Sequence, residues 1–490
     1  MLPCPQSDQH PNPEHALFPS ASIDLLREKT RHMSIPVTTH DPEPETEEEM
    51  SMADIIRIAA ARFIDSSSTE PADPPPSTNS DDVELVHHLL RAADELDHKQ
   101  YEQAAHSLDL CELLSSEAGD LTQRVTHYFV QALREKIRNE TTAAATQQPK
   151  PDLIDELNRL NLEETITATC PLVGVVYEKI PFFQIGQLAG VQAIVETVEE
   201  SKRVHIIDFR IRNGIQWTAL MQALSPSSDR RRVTLEILKI TAIVTVSENL
   251  VRETGERLAK FAESMNIPFS FNSIVVSSLT EIDETQFDLD PNETVAVFSE
   301  YALQSLIPDP NQLDALMRVV KNIQPGIMVV IETECNLNSS NFGRRFVEVL
   351  FHYGAYFDCV DACLEGGDGG GERGLMESMF LSRIVTGLLV KEGKDMAKFV
   401  TVDVWRKFLS RFSMWEVRLS SSAMYVVNLL LERFVGGKFC TLDRDGESLV
   451  VGWKGTPMFS LATWKFLQFK TTEPNPEEEE KEDDPESLIS

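Results

Sequence analysis

Five apolar runs alternating with helical periods, three amphipathic helices ahead of them, and ends rich in acids and proline predict the fold class. It is α/β, with a mostly parallel sheet core, an α-helical cap subdomain and disordered acidic termini. The runs are VHIIDF (204–209), VTLEILKIT (233–241), FSFNSIVV (269–276), TVAVFS (294–299) and IMVVIE (327–332). Strands this apolar are buried on both faces, as in a parallel sheet covered by helices. The covering helices are NLVRETGERLAKFAESM (249–265) and NQLDALMRVVKNI (311–323). Towards the end, FCTLDRDGESLVVGW (439–453) and TPMFSLATWKF (456–466) predict antiparallel strands, the first two joined through the RDGE turn.

The cap is read from three stripes: Val86, Leu89, Leu90 and Ala93; Tyr101, Ala104, Ala105, Leu108 and Cys111; and Leu121, Val125, Tyr128, Phe129, Ala132 and Ile137. Residues 139–152 read as a loose insertion and 366–371 as a glycine loop. Residues 1–50 are expected to be disordered. Residues 51–82 hold a short helix, with Met52, Ile55, Ile56, Ala59 and Phe63 on one face and Ser51 with Asp54 at its start, then a proline-rich linker. One large domain is expected over 83–470, with the cap at about 83–200 and the α/β core at about 201–470. An acidic disordered tail at 471–490 closes the chain.

Composition limits the function classes. The net charge is −33, of which residues 1–82 carry −11 (16 acids, 5 bases) and residues 471–490 carry −8 (9 acids, 1 base), leaving −14 on the domain. Such a field opposes broad binding to a polyanion. SKR (201–203) and DRRRV (229–233) are the densest basic clusters and offer at most a weak phosphate patch. There is no run of 18 apolar residues, and the first twenty residues do not resemble a secretory signal. The seven cysteines form no CxxC pair, so Cys359 and Cys363 in CVDAC read as reduced structural thiols and no metal is expected.

The stretch SKRVHIIDFRIRNGIQWTALMQAL (201–224) has the layout of a cofactor cradle: strand, loop, helix. Its chemistry is different. Gly214 is the loop's only glycine, and Arg210, Ile211, Arg212 and Asn213 occupy positions where a cofactor needs space. The second strand ends without an acid for a ribose. Asp208 is expected to cap the next helix or hold the loop, and His205 and His352 to be core histidines. Glu332 and Glu334, at the end of their strand, are expected to anchor loops. GxSxG, P-loop and HExxH patterns are absent. No catalytic residue and no cofactor is expected, although a methyltransferase using S-adenosylmethionine stands as the alternative.

Several motifs in order resemble the GRAS family of plant transcriptional regulators. VHIID (Val204, His205, Ile206, Ile207, Asp208) is followed by Gly214, Gln216 and Trp217 in the family's spacing. PFFQIGQLAGVQAIVE (181–196) resembles the family's first leucine-rich region, and NSSNFGRRFVEVLFHYGAYFDCVDA (338–362) part of its PFYRE region. SRIVTGLLVKEG (382–393) keeps Arg383, and VVGWKGTPMFSLATWKF (450–466) is similar to the SAW motif through Gly452, Trp453 and Trp464. The helices at 85–97 and 121–137 are most similar to the DELLA branch, whose DELLA and VHYNP sequences do not occur in residues 1–82.

This resemblance implies a Rossmann/methyltransferase-like core under a helical cap. It implies a nuclear co-regulator of transcription, not an enzyme, in plant development or in hormone or symbiosis signalling. Its partners would be transcription factors and other GRAS proteins, as homo- or heterodimer, with DNA contacted indirectly and no membrane. Outward residues of the helices at 85–97 and 184–198 are the expected contact surface. Trp217, Trp453 and Trp464 are expected in the core.

Overall fold

Among the residues described by the computed structural model (20–31, 50–65, 80–145, 171–226, 233–244, 248–364, 370–389 and 399–466), nine strands share one sheet. They are β1 (Arg203–Asp208), β2 (Ile237–Val244), β3 (Phe269–Val275), β4 (Thr294–Glu300), β5 (Ile327–Thr333), β6 (Met414–Val417), β7 (Cys440–Asp445), β8 (Ser448–Trp453) and β9 (Thr456–Phe466). Their order is β3-β2-β1-β4-β5-β9-β8-β7, with β6 paired to β9. The first five are parallel, and β9, β8 and β7 continue the sheet antiparallel. Chain direction across the sheet thus reverses between β1 and β4, the position at which open α/β sheets form a crevice.

Both faces are covered along β1, β2, β4 and β5, as apolar strands require. On one, Val204 and Ile206 pack with residues of Pro181–Val198, Ile215–Leu224, Glu248–Ser264 and Ser421–Arg433. On the other, Ile207 packs with residues of Pro310–Ile323 and Val402–Ser410. β3, expected to be buried on both faces, is instead an edge strand with Asn272, Ser273 and Val275 exposed. β2 begins four residues later than its apolar run. β1 starts only at Arg203, which is paired with Ile237, so Val233 to Glu236 have no strand beside them.

A third apolar cluster builds the cap from Met52–Asp65, Ser80–Asp97, Tyr101–Leu114 and Leu121–Ala145. The stripe residues Val86, Leu89, Leu90 and Ala93 are fully buried there. The helix at 52–65 buries its expected face, and the Asp54 amide donates to Ser51 Oγ over 3.1 Å at its start.

Four further expectations need correction. The cut near residue 200 does not exist in space. Pro181–Val198 lies on the sheet, while Phe342–Leu364 and Gly370–Leu388 from the later half help to build the cap core. The region 1–50 is not uniformly disordered, because Ser20–Arg31 is helical. Its polar average hides Ile23 and Leu26, which are buried in the cap, while Ser22 donates to Asn341 over 2.7 Å and Lys29 meets Glu348 at 3.0 Å. The expected insertion begins late: the helix Leu121–Ala145 continues through Asn139, supported by Lys136 against Glu140 at 2.5 Å. Glycines 370 and 371, expected in a loop, open the helix Gly370–Leu388. Residues 1–19 and 32–49, the linker 66–79 and the tail 471–490 lie outside the described residues.

Candidate functional site

β1 alternates between the sheet's two faces, so Val204, Ile206 and Asp208 point one way and His205 and Ile207 the other. All five are buried. His205 sits in the amino-terminal half of the strand, with Nδ1 2.7 Å from Glu293 Oε1 and Nε2 2.8 Å from Thr241 Oγ1. Both ring nitrogens are engaged, as expected of a core histidine.

Asp208 ends the strand and organises the turn into the next helix. Its Oδ1 accepts the Arg210 amide over 3.0 Å, and its Oδ2 accepts Trp217 Nε1 over 2.9 Å. Gln216 Nε2 lies at the hydrogen-bond limit, 3.5 Å from the same oxygen. Burial pushes the Asp208 carboxyl up to about 7, against the pull of these donors. Trp217 is fully buried and meets Phe298 of β4 edge to face, with centroids 5.1 Å apart. Gly214 caps this helix at φ +63°, in the left-handed region, and a Cβ there would lie 3.1 Å from Thr254 Cγ2.

The loop between Asp208 and Gly214 is pinned on two sides. Arg210 Nη1 donates to the Tyr301 carbonyl over 2.9 Å, and the Arg212 guanidinium lies over the Tyr301 ring at 5.4 Å. Arg257 donates to the Asn213 carbonyl on the other side. Tyr301, directly after β4, holds φ +52°, which is costly for a non-glycine residue. Its amide bonds to the Ile331 carbonyl over 2.8 Å. Below it Glu332 accepts the Leu303 amide over 3.0 Å, and burial pushes its carboxyl up to about 8. Glu334 accepts the Val402 amide at 3.1 Å and is pushed by burial to about 7. Both acids anchor loops, as the sequence suggested. At the β1 turn Arg210 and Arg212 both reach across to Tyr301, and β2 ends on Ala242, Ile243 and Val244, with no acid placed for a ribose within the strand.

The arginines do not fill everything. A cavity of about 230 Å³ remains between this edge of the sheet and the cap. Arg212, Asn213, Tyr301 and Thr333 border it from the core side, and His352 and Arg383 from cap helices. Burial pushes His352 down to about 4 and also lowers Arg383. The sequence missed this space, because its walls come from residues as distant as Val176 and Phe399.

The structure therefore brings Asp208, Gly214, Gln216 and Trp217 together at the end of β1 and puts Arg383 across the cavity. It leaves the C-terminal motif elsewhere. Trp453 is buried with Phe182 and donates to Asp358 Oδ1 over 3.0 Å. Gly452 sits at an irregularity in the β8–β9 register, where a Cβ would collide with Thr441 Oγ1. Trp464 is buried in the cluster on the opposite face of the sheet. Cys359 and Cys363 are free thiols 3.9 Å apart. Lys202 and Arg203 face Glu236, and Arg203 also meets Asp290 at 3.1 Å, so SKR is largely neutralised. Residues 227–232, most of DRRRV, lie outside the described residues. No described helix is long and apolar enough to cross a membrane.

The GRAS domain family matches residues 85–465. The chain belongs to that family. Among curated proteins the GRAS chain is 27% identical over 388 residues to the DELLA protein GAIP of Cucurbita maxima. It is 27% identical over 389 residues to the DELLA protein GAI of Arabidopsis thaliana. The matches take in 78% of this chain and 62% of the first relative or 68% of the second. The chain thus spans less than two thirds of the first relative's length. The solved structure of SCL7 in Oryza sativa superposes with a TM-score of 0.65 at 24% identity, over 78% of this chain and 99% of that one. That likeness establishes the fold, and the DELLA relatives agree with the branch expected from the cap helices.

Proposed function

We propose that this GRAS chain is a nuclear co-regulator of plant transcription that works by protein contact with transcription factors and other GRAS proteins. Membership of the family, with DELLA proteins among its relatives, carries the reading. The geometry supports it: the signature residues Val204 to Asp208 and Trp217 are buried and satisfied within the fold, which suits a scaffold.

The contact surface must be relocated within the cap. Pro181–Val198 has no exposed residue, because it lies between the sheet and Ser421–Arg433, and so presents no outer row. Ser80–Asp97 exposes Asp81, Glu84 and Arg91, all charged. The neighbouring helix Tyr101–Leu114 instead exposes Leu110, Leu113 and Leu114, and Leu113 is 81% accessible. Their i, i+3, i+4 spacing puts them on one helical face, the pattern used when a helix docks into a partner's groove. In this reading another GRAS protein covers that face.

The test is co-precipitation of the full chain with a DELLA relative from plant nuclei, beside the double variant L113D/L114D. Recovery that the variant reduces about tenfold, roughly 1.4 kcal/mol of contact, supports the reading. Exclusion from nuclei, or no recovery with either form, overturns it.

A further inference from the structure

The cavity beneath the cap lies at the point where the strand order reverses, with walls from the turns after β1 and β4, from the end of β5 and from the cap helices. In open α/β sheets this is where ligands bind. About 230 Å³ is room for roughly seven waters at ~30 Å³ each. Twelve of the nineteen described lining residues are aliphatic, aromatic or methionine, and none is Asp or Glu. The two ionic ones are Arg212 and Arg383.

That composition selects a class of ligand. Two guanidinium groups repel a cation, and so few polar walls do not satisfy a sugar or a nucleoside. The Arg212 Nε is buried and has no hydrogen-bond partner among the described residues. Glu332, next to the lining residue Thr333, spends one carboxylate oxygen on the Leu303 amide, and burial pushes it up to about 8. A carboxylate matches a guanidinium in charge and in planar geometry. Flat apolar groups match Phe183, Tyr301, Tyr356 and Phe380.

We propose that this cavity is a binding site for a small monocarboxylic acid with a flat, apolar body, its carboxylate on Arg212 and its body against Phe183, Tyr301, Tyr356 and Phe380. Because the walls belong to both cap and core, the bound acid bridges them and stabilises the folded chain. The partner-docking reading does not depend on this site.

The experiment uses the full chain with 2-naphthoate and its neutral isostere 2-naphthamide, followed by calorimetry and thermal melting. The expected result is binding of the naphthoate at least tenfold tighter than the amide, with a rise in melting temperature. Arg212→Gln should keep the amide's affinity and remove the preference. Met379→Trp, which fills the cavity, should weaken both. If that variant does not fold, Arg212→Gln alone decides. No binding of either compound at about 1 mM, equal affinities in the unaltered chain, or a preference that survives Arg212→Gln overturns the proposal.

Discussion

Trp217 Nε1 donates to Asp208 Oδ2 over 2.9 Å, so the last residue of β1 holds the first turn of the helix that comes after it. The family's best-marked phrase is therefore a brace. It spans the turn at which a nucleotide-binding fold would place its cofactor, and its polar atoms are directed into the protein.

Removing the brace should cost stability. Asp208→Ala leaves Trp217 Nε1 and the Arg210 amide without their buried acceptor, at about 1–3 kcal/mol each. Asp208→Asn keeps one acceptor and turns a donor towards the other, so its loss should be about half as large. Urea midpoints at pH 8.5, above the Asp208 value of about 7, give the order wild type, Asn, Ala. Equal midpoints for all three would show that the bond contributes nothing.

Gly214 is tested by alanine. Its φ of +63° disfavours any side chain, and the added methyl meets Thr254 Cγ2 at 3.1 Å and Leu258 Cδ1 at 3.2 Å. The expected destabilisation is about 1–2 kcal/mol from the backbone alone, read as a fall in melting temperature. An unchanged melting temperature would mean that the turn relaxes freely.

Stability should depend on pH in a stated direction. Asp208 and Glu334 sit at about 7 and Glu332 at about 8, all raised by burial above their unfolded values. A raised carboxyl binds its proton more tightly in the fold. Its contribution is complete below about pH 4 and is lost as pH rises through the folded values, about 7 to 8. His352 acts oppositely: held down at about 4, it contributes above about 6.5 and loses that contribution as pH falls towards 4. The melting temperature should therefore decline from pH 6 to pH 9, and Glu332→Gln should flatten that decline by several degrees. A melting temperature that rises over this range, or an identical slope in the variant, would contradict the assignment.

The double substitution L113D/L114D should leave the unfolding free energy from urea titration within about 0.5 kcal/mol, because exposed side chains make few contacts. A much larger loss would show that this face packs within the chain, and any effect of the variant on partner recovery would then reflect unfolding.

Much of the fold was legible in the sequence, for physical reasons. Strands apolar on both faces, such as TVAVFS and IMVVIE, have no stable place outside a covered sheet, and they became β4 and β5. Asp208 was expected to hold a loop, and it does. What escaped depends on tertiary placement. Ser20–Arg31 is too polar and too short to be helical alone, and it forms where Ile23 and Leu26 find the cap. Pro181–Val198 carries the family's leucine-rich phrase, but packing between the sheet and Ser421–Arg433 left it no outer face. The cavity joins residues from 176 to 399, and no local pattern records such a meeting.

Regulation of transcription by a protein-contact scaffold can be measured in plant protoplasts. The full chain is fused to a DNA-binding module, and a reporter promoter bearing that module's site is read. A scaffold should give a several-fold change in output that L113D/L114D abolishes. Unchanged output, with the fusion confirmed in the nucleus, would contradict it.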